Sequence, residues 1–473
     1  HHGVEIDLGR LPPDDKDVYA MLQRADTIGV FQIESRAQMA TLPRMKPTRF
    51  YDLVVEVALI RPGPIVGKMV HPYLARRTGR EPVVYDDPLL EPILKRTLGV
   101  PLFQEQLMKM AMAVAGFTGG QAEELRRAMG SKRSRARMKA LTQQLIQGMQ
   151  ERGIGQGARD RIVQSIESFA LYGFPESHAA SFALIAYASA WLKFHYPGAF
   201  YAALLNSWPM GFYHPSTLTQ DATRHGVSIK GVDVNHSLWD CSLEDEGQSI
   251  RIGLKYVKGL SKRTGDAIVA TQGLAPFTSV TELGRKTGAS STELYALAKV
   301  GALGPSRREA MWQALALRTD SGLLAGAISN AHEPALPAMN AATKLLADYE
   351  GVGLTTGKHP MVFLRSKLSG VVAASDIAKY KDGQRIWVAG MVIVRQRPRT
   401  AKGFVFLTLE DETGLANLVI KPDMFQANRA LLSTANFLLV DGQVQNREGV
   451  VNVSAIACFA LAAPVRHDGR NFH

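Results

Sequence analysis

The spacing of apolar residues changes once along this chain, and that change constrains its architecture more than any motif. Up to about residue 225 apolar positions recur every three to four residues, the period of a helix with one buried face. Beyond Gln384 they alternate, the period of a strand with one buried face. Arg385 to Val394, Gly403 to Glu410 and Leu415 to Ile420 read as three strands. A helix around Met424 to Leu432 follows, and then strands from Asn436 to Val444 and from Val450 to Cys458. Five short strands with a helix between the third and fourth resemble an OB-fold, a small barrel that binds oligonucleotides on one face.

The helical part is punctuated by proline and glycine, as in Arg61-Pro62-Gly63-Pro64 and Tyr172-Gly173-Phe174-Pro175. Its longest helix is expected from Ser177, an N-cap candidate, to Tyr196, where Pro197 stops it. Between Gly226 and Leu303 the segments shorten into hairpin-like helices, and Ser321 to Met339, rich in Ala, Gly, Ser and Pro, reads as linker. At 473 residues the chain exceeds one core, and about 150 residues per domain gives about three domains.

Lys and Arg number 55 against 43 Asp and Glu, an excess of 12 that favours a polyanionic partner over a small-molecule enzyme. Membrane insertion is disfavoured, because the most apolar long segment, Ala179 to Leu192, is shorter than the ~20 residues a spanning helix needs. His1-His2-Gly3-Val4-Glu5 lacks the apolar core of a secretory signal, and two distant cysteines, Cys241 and Cys458, exclude a disulfide framework or zinc ribbon. A cytoplasmic location is expected.

The basic residues are not evenly spread. Seven fall between Arg126 and Lys139 with no acid among them: Arg126, Arg127, Lys132, Arg133, Arg135, Arg137 and Lys139. A helix from Gln121 to Met129, stopped by Gly130, would fix Arg126 and Arg127 as a defined pair of guanidinium forks able to grip phosphate oxygens. The alternative is a solvated cationic face. Val257-Lys258-Gly259-Leu260-Ser261, leading into an expected helix Lys262 to Thr271, resembles the hairpin of a helix-hairpin-helix unit. Its glycine would admit a phosphate and the next helix's N–H groups would receive it. An ordinary turn is the plainer alternative. A second such unit is suggested by a helix Ser291 to Ala298 ending in Lys299-Val300-Gly301-Ala302-Leu303.

His178 stands at the start of the long helix beside a loop of glycine and aromatics, where it can face a ligand; a structural hydrogen bond is the alternative. Lys193, His195 and Tyr196 lie about 24 Å further along at 1.5 Å per residue, too far to share a small site with it. Asp14-Asp15, Asp86-Asp87 and Glu410-Asp411-Glu412 read as caps and turns, since none alternates along a strand as two-metal phosphoryl transfer requires. Hydrolase and P-loop motifs are absent from the sequence.

Five motifs occur in an order that carries a family resemblance: Val30-Phe31-Gln32-Ile33-Glu34-Ser35-Arg36, Arg61-Pro62-Gly63-Pro64, Leu102-Phe103-Gln104-Glu105-Gln106, Leu125-Arg126-Arg127-Ala128-Met129, and Tyr172-Gly173-Phe174-Pro175-Glu176-Ser177-His178-Ala179-Ala180. Through them residues 1 to 463 resemble the carboxy-terminal portion of bacterial family C DNA polymerases, the alpha subunits of DNA polymerase III and their relatives. Asn206-Ser207-Trp208-Pro209-Met210-Gly211-Phe212-Tyr213 and Val394-Arg395-Gln396-Arg397-Pro398 resemble the error-prone, damage-induced branch.

The resemblance implies a multidomain α+β chain with a mostly α-helical fingers region, a helix-hairpin-helix module and a C-terminal β-barrel OB-fold. The divisions it implies are a palm edge (1–35), fingers (36–225), tandem helix-hairpin-helix module (226–310), linker and helices (311–370), OB-fold (371–463) and tail (464–473). It implies that Arg126 and Arg127 grip the triphosphate of an incoming dNTP and that His178 lies near its sugar. Lys132, Arg133, Arg135, Arg137, Lys258, Gly259, Ser261, Arg395 and Arg397 are the expected DNA contacts. No catalytic or metal-binding residue is expected here: the family's aspartates, which hold Mg²⁺, would lie upstream of residue 1.

Expected partners are primer-template DNA, dNTP, a Y-family-like protein and a recombinase-like protein. No clamp-binding Gln-x-x-Leu-Phe peptide occurs between Ala310 and Leu345, so the sliding clamp would be reached through those partners. The expected activity is error-prone, translesion nucleotidyl transfer by the complete enzyme, with this portion inactive alone. A truncated, non-catalytic DNA-binding paralogue is the alternative.

Overall fold

The computed structural model describes residues 3, 5–61, 70–129, 135–170, 174–304, 306–316, 336–398, 401–462 and 470–472. They fall into two compact units: 4–194 with 448–450, and 1–3 with 195–447 and 451–473.

The first unit is helical, and its helix starts follow local chemistry. Asp15 accepts the N–H groups of Asp17 and Val18 ahead of the helix Lys16–Gln23. Ser35 and Gln38 form a reciprocal capping box that starts Arg36–Met45. Phe50–Leu59 is buried on every side from Asp52 onward. Gln104–Ala115 ends at Gly116 in the left-handed region, φ 70°. The helix Gly119–Met129 then begins, two residues earlier than expected, where Thr118 and Gln121 satisfy each other's backbone and side chain. Arg135–Glu151 crosses Gln104–Ala115 so closely that a Cβ on Gly148 would stand 2.1 Å from the Ala115 carbonyl oxygen.

The long helix is Glu176–His195 rather than Ser177–Tyr196. Ser177 is not its cap: the chain enters through Pro175, and the Glu176 N–H donates to the Glu105 carboxylate at 3.0 Å. At the far end Lys193 is fully buried, its ammonium 2.9 Å from Asp26 and 3.1 Å from the Ile28 carbonyl oxygen. Lys193 therefore does structural work, in keeping with its distance from His178.

In the second unit, helices Pro197–Asn206 and Pro215–Arg224 precede a three-stranded sheet of Ser228–Lys230, Ser242–Glu244 and Ser249–Arg251. The sequence reading missed that sheet, because three-residue strands are too short to show alternation. Helices Lys262–Gln272, Val280–Thr287, Ser291–Lys299, Arg307–Ala316 and Ala341–Gly351 follow. The expected linker lies mostly outside the described residues.

Strands Arg385–Gln396, Val405–Glu410, Leu415–Ile420, Phe437–Arg447 and Val450–Ala460 close a barrel. The first pairs antiparallel with the second and the fourth, and the third runs parallel to the fifth. Alternate residues fill it: Ile386, Val388, Leu407, Leu409, Leu418, Ile420, Leu438, Val440 and Val453 are all buried. In the first strand Gly390 passes the Glu410 carbonyl oxygen, which a Cβ would meet at 2.8 Å, and the pairing with the second strand shifts register between Val392 and Val394. Between the third and fourth strands stand two short helices, Pro422–Ala427 and Arg429–Thr434, not one, because the backbone breaks at Asn428.

Candidate nucleic-acid and nucleotide interface

In the first unit, Arg126 and Arg127 occupy the last turn of Gly119–Met129, with side chains 38% and 75% exposed. The helix is anchored by Ala122, Leu125 and Ala128, which are buried on its other face. Arg127 lines a cavity of about 250 Å³ with Gly120, Glu123, Glu124, Ala128 and Arg137. The Glu123 carboxylate is held at about 2 by its hydrogen bonds to Arg126 and then to Arg127. Arg137 is exposed and pairs with Glu124 at 2.7 Å. Lys132 and Arg133 lie outside the described residues, and Arg135 is placed only as the first residue of its helix.

His178 is exposed on the first turn of its helix, in a row of rings. It stands 5.0 Å from Phe174 and 4.3 Å from Phe182, and Phe182 stands 5.6 Å from Phe31. The Arg61 guanidinium lies 3.6 Å over the Phe174 ring, where burial lowers its basicity. Tyr51 donates to Glu176 at 2.8 Å, and Arg96 stacks 3.6 Å over Tyr51.

Leu102-Phe103-Gln104-Glu105-Gln106, which the sequence reading used only as a family mark, proves to be the joint of this region. The Gln104 N–H donates to the Phe174 carbonyl, Glu105 receives the Glu176 N–H, and Gln106 accepts from Leu102 and Phe103 while donating to Thr97. Glu105 also acts electrostatically on Arg126. One short turn thus touches both the entry to the His178 helix and the surroundings of Arg126. Nothing in its spacing announced this, since Glu176 lies 71 residues from Glu105 in sequence and the acceptor role of Glu105 is visible only in three dimensions.

In the second unit, Gly259 is exposed with φ +90°, and Lys258 is exposed although its backbone N–H is committed to Gly351 at 2.8 Å. Ser261 caps Lys262–Gln272 by accepting the Thr264 N–H. Its hydroxyl and its N–H both donate to the Glu293 Oε1, at 2.7 and 3.2 Å, while Glu293 Oε2 takes the N–H and hydroxyl of Ser290. Burial works against the Glu293 charge, but these donors prevail and draw its pKa to about 2. The element before the first hairpin is a single turn of 3-10 helix, Leu254–Tyr256, instead of a full helix. The second hairpin differs: Gly301 has φ +83°, and Arg307 folds back onto the Lys299 carbonyl and Asp348.

Arg397 is exposed on the barrel with its guanidinium 5.0 Å over Phe425. Arg395 corrects the expectation made for it. It is 9% exposed, and it donates to the carbonyls of Leu432 and Ala435, so it closes the end of the helix Arg429–Thr434 instead of facing solvent. The resemblance implied a DNA contact for it, and the helix expected between the third and fourth strands was legible, but that its carbonyls capture this guanidinium shows only in three dimensions.

Three family models match in the same order as these regions. Residues 1–153 match the bacterial DNA polymerase III alpha subunit finger domain, 226–310 a helix-hairpin-helix motif, and 386–457 an OB-fold nucleic acid binding domain. The first of these matches and the relatives that follow make the chain similar to bacterial DNA polymerases of the polymerase III alpha subunit type. An error-prone DNA polymerase of Anaeromyxobacter dehalogenans is 50% identical over 98% of this chain and 42% of its own length. Error-prone DNA polymerases of Nocardia farcinica and Mycobacterium tuberculosis are 50% and 48% identical over 100% of the chain and 43% and 44% of theirs. The chain therefore spans less than half the length of these curated relatives. None of its described helices is long and apolar enough to cross a membrane.

Proposed function

We propose that this chain supplies the nucleotide-gripping and DNA-holding parts of an error-prone DNA polymerase that acts in damage-induced translesion synthesis. The observation that carries the reading is the pair of guanidiniums on one anchored helix, one of them, Arg127, lining a cavity of about 250 Å³, within the region matching the polymerase finger domain. Arg126 and Arg127 bind and neutralise the triphosphate as charge passes to the leaving pyrophosphate. His178, held in its aromatic row, faces the nucleotide sugar. The Gly259 hairpin, with Lys258 and Ser261, approaches the duplex backbone, and Arg397 on the barrel meets single-stranded template.

Mg²⁺ would supply the Lewis acid that polarises the α-phosphate. The acid pairs legible in the sequence do not fit that task. Asp15 and Asp87 cap helices, Asp86 pairs with Arg161, Glu410 pairs with Arg224, and Asp411 closes a turn onto Thr413 and Gly414. Within this proposal the metal ligands belong to the remainder of the enzyme. The Y-family-like and recombinase-like partners, and the clamp through them, belong to the same proposal.

The test is single-nucleotide incorporation by the complete polymerase carrying R126A/R127A. Loss of charge-assisted bonds should reduce kcat/KM for dNTP by about tenfold or more per arginine. Unchanged kinetics would sink the assignment. DNA binding by this chain without any nucleotide-dependent step in the complete protein would favour the non-catalytic paralogue.

A further inference from the structure

The helix that carries the arginine pair also carries an anion for it. Glu123 Oε2 accepts from Arg126 Nε at 2.8 Å, and Oε1 accepts from Arg126 Nη2 at 2.6 Å and from Arg127 Nε at 3.0 Å. Two oxygens set on the Nε–Nη2 edge of an arginine reproduce the fork by which guanidinium grips phosphate. Glu124, the next residue, binds Arg137 on the opposite helix instead. The two carboxylates thus divide the three arginines between them, and only Glu123 sits on the donors a phosphate chain would use.

We propose that Glu123 is the resident counter-anion of the Arg126–Arg127 clamp, displaced by an incoming triphosphate, and that it sets how much negative charge a phosphate chain needs in order to enter. The proposal rests on the reading of Arg126 and Arg127 as the triphosphate grip. The Glu123 pairs are one-turn contacts on a single helix, with Glu123 itself 34% exposed, so each is weak and exchangeable. A triphosphate brings several negative charges to donors that the carboxylate holds with one, and it wins the exchange. Orthophosphate, with less charge, gains little over what it must displace. Glu123 is therefore a specificity-determining residue for phosphate chain length.

The exchange fixes the sign of the Glu123→Gln effect. The amide keeps the size and loses the charge, so the clamp stands unoccupied for any anion. Inorganic tripolyphosphate and orthophosphate would be titrated by calorimetry against the whole chain in four forms: unaltered, E123Q, E124Q and R126A/R127A, with helix content checked by circular dichroism. E123Q should bind tripolyphosphate several-fold more tightly and narrow the preference for it over orthophosphate. E124Q removes the same charge one residue away and should change both affinities less. In the complete polymerase E123Q should lower the dNTP KM without raising kcat. Unchanged or weakened tripolyphosphate binding in a folded E123Q, with binding lost in R126A/R127A, would overturn the exchange and make Glu123 a brace. Binding undiminished in R126A/R127A would instead overturn the grip itself, a result that E123Q cannot produce.

Discussion

At the scale of single residues, the buried charges separate structure from function. Lys193 has no exposure at all and holds Asp26 and the Ile28 carbonyl. K193A leaves those acceptors without their cation and should cost about 3 kcal/mol of unfolding free energy, measured as a lowered urea midpoint. Glu410 behaves in the opposite sense. Complete burial raises its pKa from 4.5 to about 7, against the pull of Arg224 2.8 Å away. The folded state therefore holds a proton that the unfolded state releases above about 4.5. Its contribution to stability is full below that pH and declines as pH rises through about 7. Urea midpoints followed from pH 5 to 8 should fall more steeply for the unaltered chain than for E410Q; parallel curves would refute the assignment. The basic pair of the proposed grip, Arg126 and Arg127, was legible in sequence because fixed basic pairs on a helix leave a local signature. Glu105 and Glu123 were not, because a carboxylate's meaning depends on which cation folds against it.

At the scale of elements, Glu293 ties two helix starts together by accepting from Ser261 and from Ser290. Its pKa is drawn from 4.5 to about 2, so this contribution is present above about pH 4.5 and is lost as pH falls toward 2. E293Q should lower stability at pH 7 and flatten the acid limb of the stability profile, as read by thermal unfolding at pH 7, 4 and 3. Gly148 is the second sensitive point. G148A drives a methyl into the Ala115 carbonyl, and separating the two helices should cost about 1–3 kcal/mol, visible as a lower urea midpoint. The barrel strands were read to within a few residues, and Leu415–Ile420 at both ends, because alternation over six or more residues is a strong signal. The three-stranded sheet escaped because each strand has only three residues, and Ser177 was misread as a cap because Pro175 and Glu105 already organise that helix start.

At the scale of the whole molecule, the excess of 12 basic residues combines with two nucleic-acid-binding family matches. DNA affinity measured by anisotropy should fall steeply and linearly on logarithmic axes as salt rises, by at least about tenfold between 50 and 200 mM. Salt-independent binding would mean that the surface charge has another use. Domain order was readable from the one change in apolar period and from the glycine hairpins, whereas the division at residue 194, inside a continuous helix, left no mark on composition. The Glu293 tie has a mechanical consequence. Were DNA to draw on the hairpin at Gly259, as proposed, the pull on Ser261 would pass through the Glu293 carboxylate to Ser290 at the start of the neighbouring helix, so that one side chain couples the two helix starts.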